Sequence, residues 1–360
     1  MSAIRVGIAG CGFIGTVHAL AIQSAVAGGL AEGELVALGD QDATKAEGLA
    51  GLCEARPAVF VEDWPGFLKS VDAVWVCTPT SSHLELVARA SAAGKAIYCE
   101  KPLATNLPTA EALVAAVDRA RVPNQVGLVL RSAPGTRVLE TELRAGGPQV
   151  VMSALMRDDQ YFPIQGIYGS TWRADVAVSG GGTLIEHSIH DVDLLSWLLG
   201  PIERVSARVA NFAGHAGVED LAVVTLEHEA GAVSNLMSVW HRITSRPSTR
   251  RLEVFTEDSL LTLKDEHHGP VVIQTSEGVR QASMLAEDEQ FMSRLGAPDE
   301  LKAPLVSYAI ADASFLRSLA AGEPASPGVD VALEAHRVVD AAYRSAAAGG
   351  EPVELGGRWS

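Results

Sequence analysis

The chain has 360 residues, with 28 Lys plus Arg against 44 Asp plus Glu and a formal net charge of −16. That length exceeds what one hydrophobic core usually serves and predicts two domains, while 48% hydrophobic and 20% charged residues mark a folded chain and exclude a disordered one. The acidic excess argues against a nucleic-acid or anionic-membrane partner, because neutralising phosphates takes basic patches.

The first apolar run, IRVGIAGCGFIG, is interrupted by glycines and lacks a charged leader and a cleavage site, so no secretory signal is expected. No apolar segment reaches the roughly 18–20 uncharged residues of a membrane span. Cys11, Cys53, Cys77 and Cys99 all lie in the first third, without C-x-x-C or metal-ligand spacing. The expectation is a reducing cytoplasm and no structural metal.

Short apolar runs at 4–10, 34–40, 58–61, 72–79, 95–102 and 124–130 alternate with helical stretches such as 14–27, 82–93 and 108–121. That alternation predicts a parallel sheet with right-handed crossovers, a first domain over 1–125. After Arg131 the pattern changes. A helix is expected over 134–145, a strand over 149–159, a loop over 160–182 and one continuous helix over 183–199, stopped by Gly200–Pro201. Strands follow at 202–212, 221–228, 232–241, 250–256, 259–264 and 271–275, then helices at 303–321 and 330–348. The fold class is therefore α/β at the N-terminus. A second α+β domain over 126–360 carries a large, mostly antiparallel sheet, with its C-terminal helices able to pack back on the first domain.

GCGFIG places Gly10, Gly12 and Gly15 in the G-x-G-x-x-G spacing, after a predicted strand and at the start of a predicted helix. That context is what the motif requires to be a dinucleotide site, with the pyrophosphate at the helix N-terminus. Phe13 and Ile14 lie inside the motif and are expected beside the cofactor. Asp40 ends the second strand, 25 residues past Gly15. An acid there accepts from ribose hydroxyls and repels a 2′-phosphate, which favours NAD over NADP and makes 1–125 an NAD-binding Rossmann domain.

CTPTSSH (77–83) and GKAIYCEKPLA (94–104) resemble the signatures of the Gfo/Idh/MocA oxidoreductases, the glucose–fructose oxidoreductase, inositol dehydrogenase and rhizopine-catabolism type. Glu100-Lys101-Pro102 matches that family's E-K-P motif, whose Lys–Pro peptide is often cis. A lysine at a strand's carboxyl end can donate a hydrogen bond to a substrate oxygen and take part in acid–base chemistry. The resemblance implies that Thr78, Pro79 and His83 border the nicotinamide end. His83 is equally able to satisfy the start of its helix.

The stretch GGGTLIEHSIHDVDLLSWLLG (180–200) resembles the family's glycine turn and D-x-x-x-H helix, with Glu186 in place of the usual aspartate, His190 as the histidine and Asp193 three positions on. In a continuous helix these three share one face. An acid four residues from a histidine can orient its ring and raise its basicity. His190 and Lys101 are the expected proton-handling pair, with Glu186 as their catalytic partner. His187 is an addition to the family pattern and borders the same face. Arg131, Trp172, Arg173, His187 and Asp193 are the expected substrate contacts, with Asp158, Asp159 and Tyr161 as weaker ones. Glu186, His187, His190 and His241 lack an H-E-x-x-H or cysteine partner, so no metal is expected.

The resemblance implies a homo-oligomeric, cytoplasmic NAD-dependent dehydrogenase acting on a ring hydroxyl of a sugar, glycoside or inositol. The broad sheet of the second domain needs cover, which points to a homodimer or homotetramer. Two alternatives use the same residues. One is a glycoside hydrolase or lyase that oxidises, eliminates and reduces again, recycling its NAD. The other is a non-catalytic NAD-sensing regulator.

Overall fold

The computed structural model describes residues 3–53, 56–145, 150–266 and 269–356. They divide into two compact units. The first draws on Met1–Ala104, Pro108–Ser132 and Ala286–Leu333, the second on Thr105–Leu107, Ala133–Leu285 and Glu334–Ser360.

The first unit is built on strands β1 (Arg5–Ala9), β2 (Glu34–Asp40), β3 (Ala58–Val61), β4 (Ala73–Val76), β5 (Ala96–Cys99) and β6 (Asn124–Val126). They pair in parallel in the order β3-β2-β1-β4-β5-β6. The order reverses at β1, which is where ligands bind in open parallel sheets. β4 and β5 are buried along their whole length, as strands covered by helices on both faces must be. Trp75 and Tyr98 stack with ring centroids 5.4 Å apart, and Phe315 meets both rings. Phe315 belongs to the helix Asp299–Ala321, whose Leu305, Val306, Ala309 and Ala313 pack with Ala21 and Ala25 of the helix Phe13–Ala27. Small residues on the first helix let the second come close. This late helix delivers Asp312 into the core of the first unit.

The second unit holds β7 (Val151–Tyr161), β8 (Ile202–Ala210), β9 (Leu221–His228), β10 (Val233–His241), β11 (Thr249–Thr256), β12 (Ser259–Leu263), β13 (Val271–Thr275), β14 (Gly278–Ala282) and β15 (Val353–Glu354). Their order is β14-β13-β12-β11-β7-β10-β9-β8-β15, antiparallel except for the β7–β10 pair. Alternation along the strands sends Ala154, Met156, Leu236, Val224, Leu252 and Val254 to the covered face. The helix Ile189–Leu199 packs there with Val192, Leu194 and Leu195 buried.

The expected continuous helix over 183–199 is in fact two. Thr183–Glu186 forms one turn, and a second helix runs from Ile189 to Leu199. The break falls at His187 and Ser188. The Ser188 hydroxyl donates to Asp158 Oδ2 at 2.9 Å and lies 2.6 Å from the Ser238 hydroxyl. Side-chain bonding of this kind competes with helix propagation. Glu186 therefore closes one segment while His190 lies in the first turn of the next, and the expected single face carrying Glu186, His190 and Asp193 is not formed by one regular helix. His190 and Asp193 keep their three-residue relation. The loop expected over 160–182 contains a 3-10 turn at Thr171–Ala174 and a short helix at Val176–Ser179.

Candidate functional site

In the first unit, β1 runs into the glycine turn. Gly10 has φ +97°, a conformation that costs glycine nothing. A Cβ at Gly15 would stand 2.0 Å from the Gly10 carbonyl oxygen, so helix and turn close on each other there. A Cβ at Gly12 would meet nothing within 4 Å. The glycine that the motif reserves for close approach to a pyrophosphate thus faces open space. Gly12 is also the N-cap of the helix Phe13–Ala27, with no side-chain cap and no acidic residue in the first turn. These features fit a dinucleotide phosphate. Phe13 is 46% exposed beside the turn, and Ile14 packs inward. Asp40 Oδ2 accepts the Cys11 N–H at 2.7 Å and Oδ1 accepts the Asp42 N–H at 2.9 Å. Its carboxylate ties the end of β2 to the glycine turn. Asp42, not Asp40, caps the following helix by accepting the Thr44 N–H.

The ends of β4 and β5 carry the next group. His83 is buried, with Nε2 2.9 Å from the Thr78 carbonyl and Nδ1 2.9 Å from the Pro102 carbonyl. The ring joins the turn holding Thr78 and Pro79 to the E-K-P turn. The Lys101–Pro102 peptide is cis, the form common in the resembled family. Lys101 is half-buried, and its N–H lies 3.3 Å from Glu100 Oε2. Arg131 is half-buried in the turn Val129–Ser132.

The second unit brings a different set together. Arg173 Nε lies 3.0 Å from Glu186 Oε2, and its guanidinium stacks on Trp172 with Cζ 4.4 Å from the ring centroid. Glu186 has a side chain only 1% exposed, so this pair is desolvated on the acid's side. His190 and Asp193 are buried. His187 Nε2 lies 3.1 Å from Asp158 Oδ1. Asp158 sits on β7 between Ser238 of β10 and Arg250 of β11. Asp159 is held by Arg246, Arg157 and Thr249. Burial pushes its carboxyl up, but these partners outweigh burial and hold it below the usual range. Tyr161 Oη accepts the Ile167 N–H, which pins the following loop. His241 lies 3.5 Å from Asp159. Among the described residues, no group of three or more His, Cys, Asp and Glu side chains is placed to hold a metal.

Several residues escaped the reading of the sequence. His18 and Asp312 are both fully buried and stand behind Glu100. Arg250 bonds Asp191, Glu266 and Asp158. Burial and the neighbouring Asp158 push the Asp191 carboxyl well up, against the pull of Arg250. Glu219 accepts the Gly182 and Leu184 N–H groups and so caps the helix turn that carries Glu186. For Arg250 a signal was present. It alternates with Leu252 and Val254, so strand periodicity puts it on the covered face, where a lone arginine needs carboxylates.

The chain matches the description "Oxidoreductase family, NAD-binding Rossmann fold" over residues 4–128 and "GFO/IDH/MocA C-terminal domain" over residues 147–261. It is 28% identical over 342 residues to inositol 2-dehydrogenase of Rhizobium meliloti (strain 1021), covering 92% of this chain and 93% of that one. It is 30% identical to scyllo-inositol 2-dehydrogenase (NAD(+)) of Bacillus subtilis (strain 168), covering 76% of this chain and 78% of that one. The crystal structure of an oxidoreductase domain protein from Kribbella flavida shares the fold, with a TM-score of 0.87, 24% identity and coverage of 99% of this chain and 100% of that one. With both descriptions matched, over residues 4–128 and 147–261, the chain belongs to the Gfo/Idh/MocA family of NAD-binding oxidoreductases.

Proposed function

We propose that this protein is an NAD-dependent dehydrogenase of a cyclic polyol, acting on a secondary ring alcohol of an inositol or sugar. One observation carries the reading most strongly: similarity to an inositol 2-dehydrogenase extends over 92% of the chain. The sequence also carries Lys101, His190 and an acid at 186, the positions that match the family pattern. Bound NAD supplies the hydride acceptor. Lys101 and His190 handle the alcohol proton, with the His83 clamp tying the Thr78 turn to Pro102 of the E-K-P turn. Glu186 and Arg173 hold the Trp172 turn as a wall of the substrate pocket. Arg131, His187 and Asp193 complete the substrate contacts.

The test is a panel of inositols, sugars and glycosides with NAD⁺, read by NADH absorbance. Turnover of at least one cyclic polyol is expected, falling about 100-fold or more in Lys101→Ala and in His190→Ala. Absence of turnover across the panel, or full activity in both variants, overturns the reading. Asp40 makes NAD the preferred cofactor, so equal efficiency with NADP⁺ contradicts its role.

We also propose a homo-oligomer in the cytoplasm. The four buried cysteines are all free, which suits a reducing compartment. The outward sheet face carries Leu155, Val223, Met237 and Phe255, 39–45% exposed. A second copy of the chain covers this face. Light scattering after size exclusion should give a dimer or tetramer, and Met237→Glu should reduce its mass. A monomer in the unmodified protein refutes the assembly.

A further inference from the structure

We propose that His18 and Asp312 form a buried positioning relay that fixes Glu100 and, through it, the backbone that presents Lys101. The inference rests on the proposed role of Lys101 and adds residues that no motif assigned.

The geometry is closed on every side. His18 is fully buried on the helix that follows the glycine turn. Its Nε2 lies 3.0 Å from Glu100 Oε1, and its Nδ1 lies 2.9 and 3.0 Å from the two Asp312 oxygens. Asp312 Oδ1 also accepts the Trp75 indole N–H at 2.9 Å. Tyr98 and Tyr308 stand edge-on to the imidazole, with centroids 5.1 and 5.5 Å away. A ring with a carboxylate at each nitrogen carries both hydrogens and cannot rotate without losing two charge-assisted bonds. A Cβ at Gly127 would stand 2.2 Å from the same oxygen, Glu100 Oε1. The missing side chain leaves the space the carboxylate fills. Glu100 Oε1 is thus bonded by His18 and packed against the β6 end, with the second oxygen at the Lys101 N–H.

Lys101 directly follows Glu100, and its position depends on the backbone that Glu100 anchors. An unanchored Glu100 would turn toward water and take the E-K-P turn with it. Misplacement by about 1 Å is enough to cost a large factor in rate. The late helix Asp299–Ala321 contributes Asp312, so a segment some 200 residues away in sequence helps fix the motif.

Two substitutions separate the halves of the relay. Glutamine at 18 keeps a donor near the Nε2 position and so keeps the bond to Glu100. Asparagine keeps a donor near Nδ1 and so keeps the bond to Asp312. A merely structural histidine predicts equal losses in His18→Asn and His18→Gln. The relay predicts that kcat falls about tenfold or more in His18→Asn with the NAD⁺ KM within about twofold, while His18→Gln stays within about threefold of the unmodified enzyme. Gly127→Ala, which displaces Glu100 and leaves the His18 side chain unchanged, should reproduce the His18→Asn loss. A substrate-independent readout is the rate of reductive methylation of Lys101, followed by peptide mass spectrometry. His18→Asn and Gly127→Ala should shift that rate several-fold, and His18→Gln should not. Identical labelling of Lys101 in all four proteins overturns the relay, as does an equal kcat loss in His18→Asn and His18→Gln. Absence of polyol turnover in the unmodified protein counts against the dehydrogenase reading alone, and the labelling still decides the relay.

Discussion

His187 Nε2 lies 3.1 Å from Asp158 Oδ1 and 3.1 Å from Arg250 Nη2, so one ring nitrogen faces an acceptor and a donor together. A neutral ring accepts there from Arg250, and a protonated one donates to Asp158. Either way the residue that was extra to the family pattern ties the break between the two helices to the central strand β7. His187→Ala should lower stability by about 1 kcal/mol, the usual loss for one hydrogen bond. His187→Gln, which offers both a donor and an acceptor, should recover most of it. Thermal unfolding decides this, and a glutamine variant as unstable as the alanine one contradicts the bond.

Arg250 is the centre of that cluster, facing Asp158, Asp191 and Glu266. Removing it leaves carboxylates buried without a cation, which costs about 3–5 kcal/mol. Asp191 behaves differently. Its carboxyl is pushed well up by burial and by Asp158, against the pull of Arg250, so it takes up a proton more readily than an ordinary aspartate, and an amide imitates that form. Arg250→Ala should therefore unfold at a much lower denaturant concentration, while Asp191→Asn stays close to the unmodified protein. Comparable losses in the two variants would show Asp191 to be a needed anion.

The Arg173–Glu186 pair predicts a coupling energy. Arg173 is stacked on Trp172 and the Glu186 carboxyl is shut away from water, so each side chain depends on the other. In a double-mutant cycle with Arg173→Ala and Glu186→Gln, the two changes should be non-additive by about 1–3 kcal/mol. Additive effects mean that the pair does not hold the Trp172 turn.

Gly12 and Gly15 should separate binding from folding. Gly15→Ala drives a methyl into the Gly10 carbonyl and should lower the melting temperature without cofactor present. Gly12→Ala meets no protein atom. It should melt normally and bind NADH about tenfold or more weakly, because the methyl occupies the approach to the pyrophosphate. Calorimetry on both proteins checks this, and unchanged NADH affinity in Gly12→Ala removes the phosphate from that position.

The sheet of the first unit was legible because each strand is a short apolar run ending at a turn residue, and buried parallel strands have no other pattern to follow. Gly10, Gly12, Gly15 and the E-K-P motif were legible because their spacing is local. The break at Ser188 was not. It depends on Asp158 and Ser238, which reach it only through the sheet register. The partners of Glu100 were hidden for the same reason, since His18 and Asp312 are separated by 294 positions and meet only when the late helix packs on the first one. The strand β14 and the helix Ala286–Arg294 were passed over because their surfaces are mostly polar and leave little hydrophobic period.

The buried imidazole also makes stability depend on pH in a definite direction. Burial opposes the charge on His18, but Asp312 and Glu100 outweigh it and lift its pKa to about 10. An unfolded histidine titrates near 6.5. The folded value is the higher one, so the contribution of His18 is fully present below about pH 6.5 and is lost as pH rises through about 10. Asp312 is also pushed up by burial, against the pull of His18, and its effect has the same sign. The protein should therefore lose a few kcal/mol across that window relative to a His18→Gln/Asp312→Asn variant, in which neutral amides replace both charges. Burial raises Cys77 and Tyr98 in both proteins, so that part cancels, while the smaller push that Asp312 adds to each is present in the unmodified protein alone. Denaturant unfolding at intervals between pH 6 and 10 is the measurement. The two stability curves should converge as pH rises, and parallel curves mean that His18 is not held as a cation.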